Sequence, residues 1–482
     1  MNIMRTITMA ILLLTSLTTN VSLAREDIDR TKKPTSKPAP SIQLPAIQKA
    51  TLTNGLNIWL VEHHELPTVA FNLVIEAGSD HDPTILPGVG SMTADVLDEG
   101  TTTRNALEIS EELESIGASF GVGASFDGSF MTLTTLTKHM DKALAVYSDV
   151  LQNPTFPQKE FDRLKKQRLT SLLQQRDQPP IIAENVFSYI LYGSSHPYGN
   201  NPSGTEPSLN AMTRTDLMNF YQDYYRPNNS TLIIVGDVRL GEIIPKLEKA
   251  LANWKSKEVP SFTISDSRKP DRMRVYLVNK PGSAQSEIRI GYPALARSTT
   301  DFFPVLVMNR MLGGQFTSRI NLNLRERHGY TYGARSSFSF RKGAGPFSAS
   351  GGIFTDKTDS ALQEFLNEIN LMREKGMTQD ELSYVKNGLI GNFALGFETP
   401  AQIASQLHNI PLFKLPENYF DVYMQNIEAI SRDEVQRVAQ KYLNTSTMAI
   451  VVVGDLSKVK ENITALNLGE VILCDLDGKP MP

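Results

Sequence analysis

The stretch STLIIVGD, residues 230–237, returns as STMAIVVVGD at 446–455. Each is a β-branched apolar run ending in Val-Gly-Asp, the composition of a strand running into a turn. The two triplets, at 235–237 and 453–455, lie 218 positions apart. The same spacing relates two helix starts upstream, Met212-Thr213-Arg214-Thr215-Asp216-Leu217 and Ile430-Ser431-Arg432-Asp433-Glu434-Val435. Further out, Gln158, Glu160, Lys165 and Pro179 match Gln379, Glu381, Lys386 and Pro400 at an offset of 221. Several matches in one order imply two homologous domains in tandem.

Within each copy the periodicities mix. Strand-like runs fall at 57–61, 68–76, 130–136, 231–235, 274–278 and 449–453. Apolar residues at three- and four-residue spacing mark helices at 106–116, 141–151, 160–174, 240–254, 359–374 and 433–442. Pro179 and Pro180 are expected to close one helix, and Gly329 another. Gly343-Ala344-Gly345-Pro346 and Gly351-Gly352 read as turns. Strands in pairs and helices in runs make the class α+β, each domain a mainly antiparallel β-sheet packed with helices. The domains are expected at 46–259 and 271–482, joined by the Pro-bearing segment 260–270.

Composition narrows the functions. The chain has 482 residues, 48 basic against 52 acidic, which argues against nucleic acid as a partner. Its one cysteine, Cys474, permits no internal disulfide and no multi-cysteine zinc site. No two of the seven histidines stand three or four residues apart, so neither HExxH nor HxxEH is present. Residues 1–24 read as a signal peptide: Arg5, an apolar core at 9–17, and Ser22-Leu23-Ala24 for cleavage. Residues 25–45 follow as a Pro/Lys/Ser-rich linker. An exported protein is expected, periplasmic in a Gram-negative bacterium, with no stable membrane insertion.

The run LPGVGSMTADVLDEGTTTR, residues 86–104, resembles the first-helix block of the pitrilysin/insulinase-type zinc peptidases, normally G-x-x-H-F-x-E-H-x-x-F-x-G-T. Gly88, Gly100 and Thr101 hold its frame. Residues 312–319 (LGGQFTSR) and 323–332 (NLRERHGYTY) are similar to the family's C-terminal block. On this alignment the two zinc histidines fall on Ser91 and Asp95, and the catalytic glutamate on Ala94. The third ligand, a glutamate about 75 residues further on in the family, falls near Ser171. A catalytic zinc needs three protein ligands and an open water position, so no metal is expected in this chain.

The second block keeps its chemistry. The resemblance implies that Arg325 and Tyr332, seven residues apart, reach a zinc-bound substrate from the C-terminal domain. The guanidinium would hold a substrate carbonyl and the phenol would donate to the developing oxyanion. The expected function is therefore that of a zinc-free subunit of a heterodimeric metallopeptidase acting on unfolded peptides. Its partner would be a homologous HxxEH-bearing chain that carries the zinc, with Arg325 and Tyr332 working in trans. The competing reading is a non-enzymatic scaffold or peptide-binding protein of the cell envelope.

Overall fold

The structure, a computed structural model, describes residues 46–267 and 269–481. The expected signal peptide and the 25–45 linker lie outside the described residues. Strands β1 (Gln48–Thr51), β2 (Asn57–Glu62), β3 (Thr68–Ile75), β4 (Ser119–Ala124), β5 (Ser129–Leu136) and β6 (Ser230–Gly236) form one six-stranded sheet, ordered β1-β2-β6-β3-β5-β4. A second follows from β7 (Arg274–Asn279), β8 (Gln285–Leu295), β9 (Thr331–Phe338), β10 (Gly345–Phe354), β11 (Ala449–Gly454) and β12 (Glu470–Cys474), ordered β12-β7-β11-β8-β10-β9. Both sheets are mixed, with antiparallel pairs in the majority. The parallel pairs are β2–β6 in the first, and β7–β11 and β7–β12 in the second.

The repeated stretches are β6 and β11, each third in its sheet. Their unbroken apolar character follows from burial on both faces. Leu232 and Ile234 enter one core with the first half's own helices, while Ile233 and Val235 enter another. Likewise Ile450 and Val452 face one core, and Ala449, Val451 and Val453 the opposite one.

The outer face of each sheet is covered by a helix from the other half. Pro179–Tyr192 lays Ile182, Val186 and Phe187 on Val278, Val451 and Val453. Pro400–Leu407 lays Ile403, Ala404 and Leu407 on Val61, Val74, Ile233 and Val235. The expectation that Pro179 and Pro180 close a helix is corrected here. The preceding helix is Gln158–Gln175, and the prolines open the next one. Proline suits a first turn because the amide it lacks would be unpaired there anyway. Pro400 opens the matching helix in the second half.

Other matched residues also do matched work. Capping boxes start both Arg214–Tyr224, at Thr213 and Asp216, and Arg432–Tyr442, at Ser431 and Glu434. Lys165 Nζ donates to the carbonyl of Met212 at 2.9 Å, and Lys386 Nζ to that of Glu428 at 2.7 Å. Each ties a long helix to the segment just before a capping box. Among the described residues no helix is long and apolar enough to cross a membrane.

Candidate functional site

Ser91, Ala94 and Asp95 share the helix Val89–Val96, and Ser171 lies on Gln158–Gln175. The first helix starts at Gly88, whose φ of 96° favours glycine and whose added Cβ would sit 2.6 Å from Gly204. Ser91 Oγ donates to the Pro202 carbonyl at 2.8 Å, and Ala94 is fully buried. Asp95 forms an ion pair with Arg168, which stands three residues before Ser171. The same guanidinium also reaches the carbonyls of Gly88 and Ser203, at 3.4 Å each. Ser171 Oγ accepts from Gln175 Nε2 at 3.3 Å.

This donor set does not fit zinc. Two hydroxyls, a methyl group and one carboxylate already paired with a guanidinium supply no three-ligand set. Among the described residues no group of three or more His, Cys, Asp or Glu side chains is placed to hold a metal ion. His196 is spent as well: its Nδ1 accepts from the Tyr198 amide at 3.0 Å and its Nε2 donates to the Ser265 carbonyl at 3.1 Å. A cavity of about 160 Å³ at the joint is lined by Ser79, Asp82, His196 and Phe262 among others, and by none of the six candidate residues. Asp82 accepts from the amides of Gly88 (2.6 Å) and Gly90 (2.8 Å), so it serves the start of the Val89–Val96 helix. Burial raises its carboxyl to about 8 despite those donors.

The second-half candidates sit on two irregularities that sequence reasoning missed. Arg325 lies in a π-helical turn, Leu322–Arg327, before the Gly329 cap at φ 65°. Its guanidinium rests 4.8 Å from the centre of the Phe316 ring and pairs only with the adjacent Glu326, at 3.2 Å. Tyr332 lies in β9, the open edge of the second sheet. Ala334 pairs with Gly351 but Thr331 with Ile353, so β9 carries one extra residue opposite Gly352. That is a β-bulge at Tyr332-Gly333, a device that re-aims side chains. Thr331 Oγ1 stitches it by donating to the Gly352 carbonyl at 2.7 Å and accepting from the Gly333 amide at 3.0 Å. Gly351-Gly352 is therefore not a turn but the part of β10 that faces the bulge. Tyr332 is 78% exposed, its ring packs edge-on to Phe354 at 5.7 Å, and its hydroxyl has no partner among the described residues.

A duplicated α+β chain with exchanged helices, a lapsed metal site in one half and an outward Arg and Tyr in the other defines a zinc-peptidase homologue without its metal ligands. Two family models match it: "Insulinase (Peptidase family M16)" over residues 58–195 and "Peptidase M16 inactive domain" over 211–389. The chain belongs to the insulinase family, peptidase family M16. A "Non-peptidase homolog YmxG" of Helicobacter pylori is 26% identical over 408 residues, spanning 83% of this chain and 92% of that protein. An "Uncharacterized zinc protease YmxG" of Bacillus subtilis is 23% identical over 395 residues, spanning 82% and 95%. The crystal structure of a peptidase M16 inactive domain from Pseudomonas fluorescens superposes with a TM-score of 0.80 at 27% identity, covering 85% of this chain and 98% of that one. A protease structure from Helicobacter pylori shares the fold, with a TM-score of 0.80 at 20% identity, covering 86% and 100%.

Proposed function

We propose that this chain is the zinc-free subunit of a two-chain zinc peptidase of the cell envelope, exported by residues 1–24. A homologous HxxEH-bearing partner supplies the metal and its water. Arg325 holds a carbonyl of an unfolded peptide in its planar fork, and Tyr332 donates to the oxyanion that forms on the partner's side. The observation that carries this reading is the contrast in how the two sites are spent. Each polar group at the lapsed zinc positions is paired within the chain, whereas the Tyr332 hydroxyl is free and lies on a strand edge. An open edge lets an extended peptide add as a further strand, which suits an unfolded substrate.

The test is co-purification with an HxxEH-bearing chain followed by assay of the reconstituted pair. Tyr332→Phe is expected to lower turnover roughly one hundred-fold or more without loosening the complex. Arg325→Ala should weaken substrate binding as well as turnover. Arg327→Ala, at the end of the same turn, should change little. Full activity in all three variants within a correctly assembled pair would replace this reading with that of a scaffold.

A further inference from the structure

A π-helical turn is rare and has poorer hydrogen-bond geometry than the α-helix, so its persistence implies an anchor. Asn323 supplies one. It is 5% exposed and turns its amide toward the Thr358–Lys375 helix. There Nδ2 donates to Glu364 Oε2 at 2.8 Å and to Glu368 Oε1 at 2.6 Å. Glu368 is itself buried at 8% exposure, so the amide hydrogens meet acceptors that burial has stripped of water. The backbone closes at the same residue, where the His328 amide donates to the Asn323 carbonyl at 3.1 Å, a bond spanning five residues. Side chains two apart on a helix do not share a face. Fixing Asn323 inward therefore leaves Arg325 turned outward, against Phe316.

We propose that Asn323, clamped by Glu364 and Glu368, is the positioning residue that holds the π turn and so presents Arg325 to a peptide carbonyl. The inference rests on the role proposed above for Arg325. It needs an amide at 323, because two carboxylates call for a donor with two hydrogens. A carboxylate there would face two others with no proton between them.

The experiment uses the full mature chain alone, with fluorescein-labelled β-casein as the unfolded probe and fluorescence anisotropy as the readout. Asn323→Asp is expected to weaken casein binding about tenfold, the loss Arg325→Ala also gives. The double variant Asn323→Asp/Glu368→Gln restores one donor and one acceptor with their roles exchanged, and should bind within about twofold of the parent. Hydrogen exchange at the His328 amide reports the turn itself: protection should fall in Asn323→Asp and return in the double variant. Should Asn323→Asp misfold as a whole, Asn323→Ser, which keeps one donor, is read instead and should show a partial loss of both signals. Parental casein binding in Asn323→Asp, with Arg325→Ala weak, overturns the positioning role and leaves the proposed function standing. Parental binding in Arg325→Ala overturns the role of Arg325, and unchanged His328 protection in Asn323→Asp then overturns the clamp independently.

Discussion

The two halves repeat a five-strand order, β2-β6-β3-β5-β4 against β7-β11-β8-β10-β9, and differ in what was added around it. The first sheet is finished by β1, antiparallel to β2, and the second by β12, parallel to β7. The larger difference is in the polar residues. In the first half, the lapsed site has become part of the packing: Asp95 and Arg168 join two helices, and Ser91 ties one of them to a loop. In the second, a π turn and a β-bulge hold Arg325 and Tyr332 outward. Duplication thus preserved the frame, while each copy used its polar groups differently.

The sharpest way to break the comparison is through the exchanged helices, which make each half depend on the other. Phe187 is 1% exposed and belongs to the first half by sequence, yet it packs on the second sheet. Phe187→Ala should cost about 3–5 kcal/mol, measured by urea unfolding. Native-state hydrogen exchange should show β11 losing protection before β6, although the mutation lies before both in sequence. Leu407→Ala is the mirror test, expected at about 2–5 kcal/mol with β6 loosened first. If each variant loosens its own half first, the exchange is not what couples them.

Much of this was legible in the chain, and the gaps have physical causes. The matched triplets, capping boxes and Pro179/Pro400 located the repeat because local chemistry fixes turns and helix starts. Strands β4, β9 and β10 escaped reading because glycine and serine interrupt their alternation, as in SFGVGA and GPFSASGGIF. The helix exchange is written only in apolar faces that need a partner, and periodicity does not name the partner. For the site, the residue types at 91, 94, 95 and 171 announced the lapse of metal binding. Arg168 was missed because nothing local marks a basic residue as a counter-charge 73 positions away. The bulge and the π turn were missed because each exists only against a neighbouring element.

A smaller effect separates the halves by pH. His408 ends the second-half helix that covers the first sheet, with its ring 5.1 Å from that of Phe130. Burial lowers its pKa from 6.5 to about 4. The unfolded chain therefore takes up a proton at this residue as pH falls through 6.5, while the folded chain does not until about 4. Stability falls across that window, by roughly 2–3 kcal/mol from this residue. His408→Gln should flatten the slope of unfolding free energy between pH 6.5 and 4 relative to the parent. An identical slope in both would show that other groups set it.

The smallest expected effect bears most directly on how the two sites differ. Arg168 is mostly buried, with its side chain 12% exposed, but Asp95 is half-exposed at 45%, so water screens part of their attraction. Arg168→Met keeps the aliphatic reach and removes the charge and its donors. It should lower stability by about 1–2 kcal/mol, because Asp95 and two carbonyls lose a charged partner while water replaces part of the loss. In a reconstituted pair it should leave turnover unchanged at temperatures well below melting. Tyr332→Phe should do the reverse, moving stability by no more than about 0.5 kcal/mol, since an exposed hydroxyl without a partner holds nothing in place. Metal analysis completes the cross: the purified chain should carry no stoichiometric zinc, and one tightly bound zinc lost in Asp95→Ala would return the first site to chemistry. Should Arg168→Met instead depress turnover as far as Tyr332→Phe does, the ion pair would be acting on substrate, and the division between a structural half and a presenting half would fail.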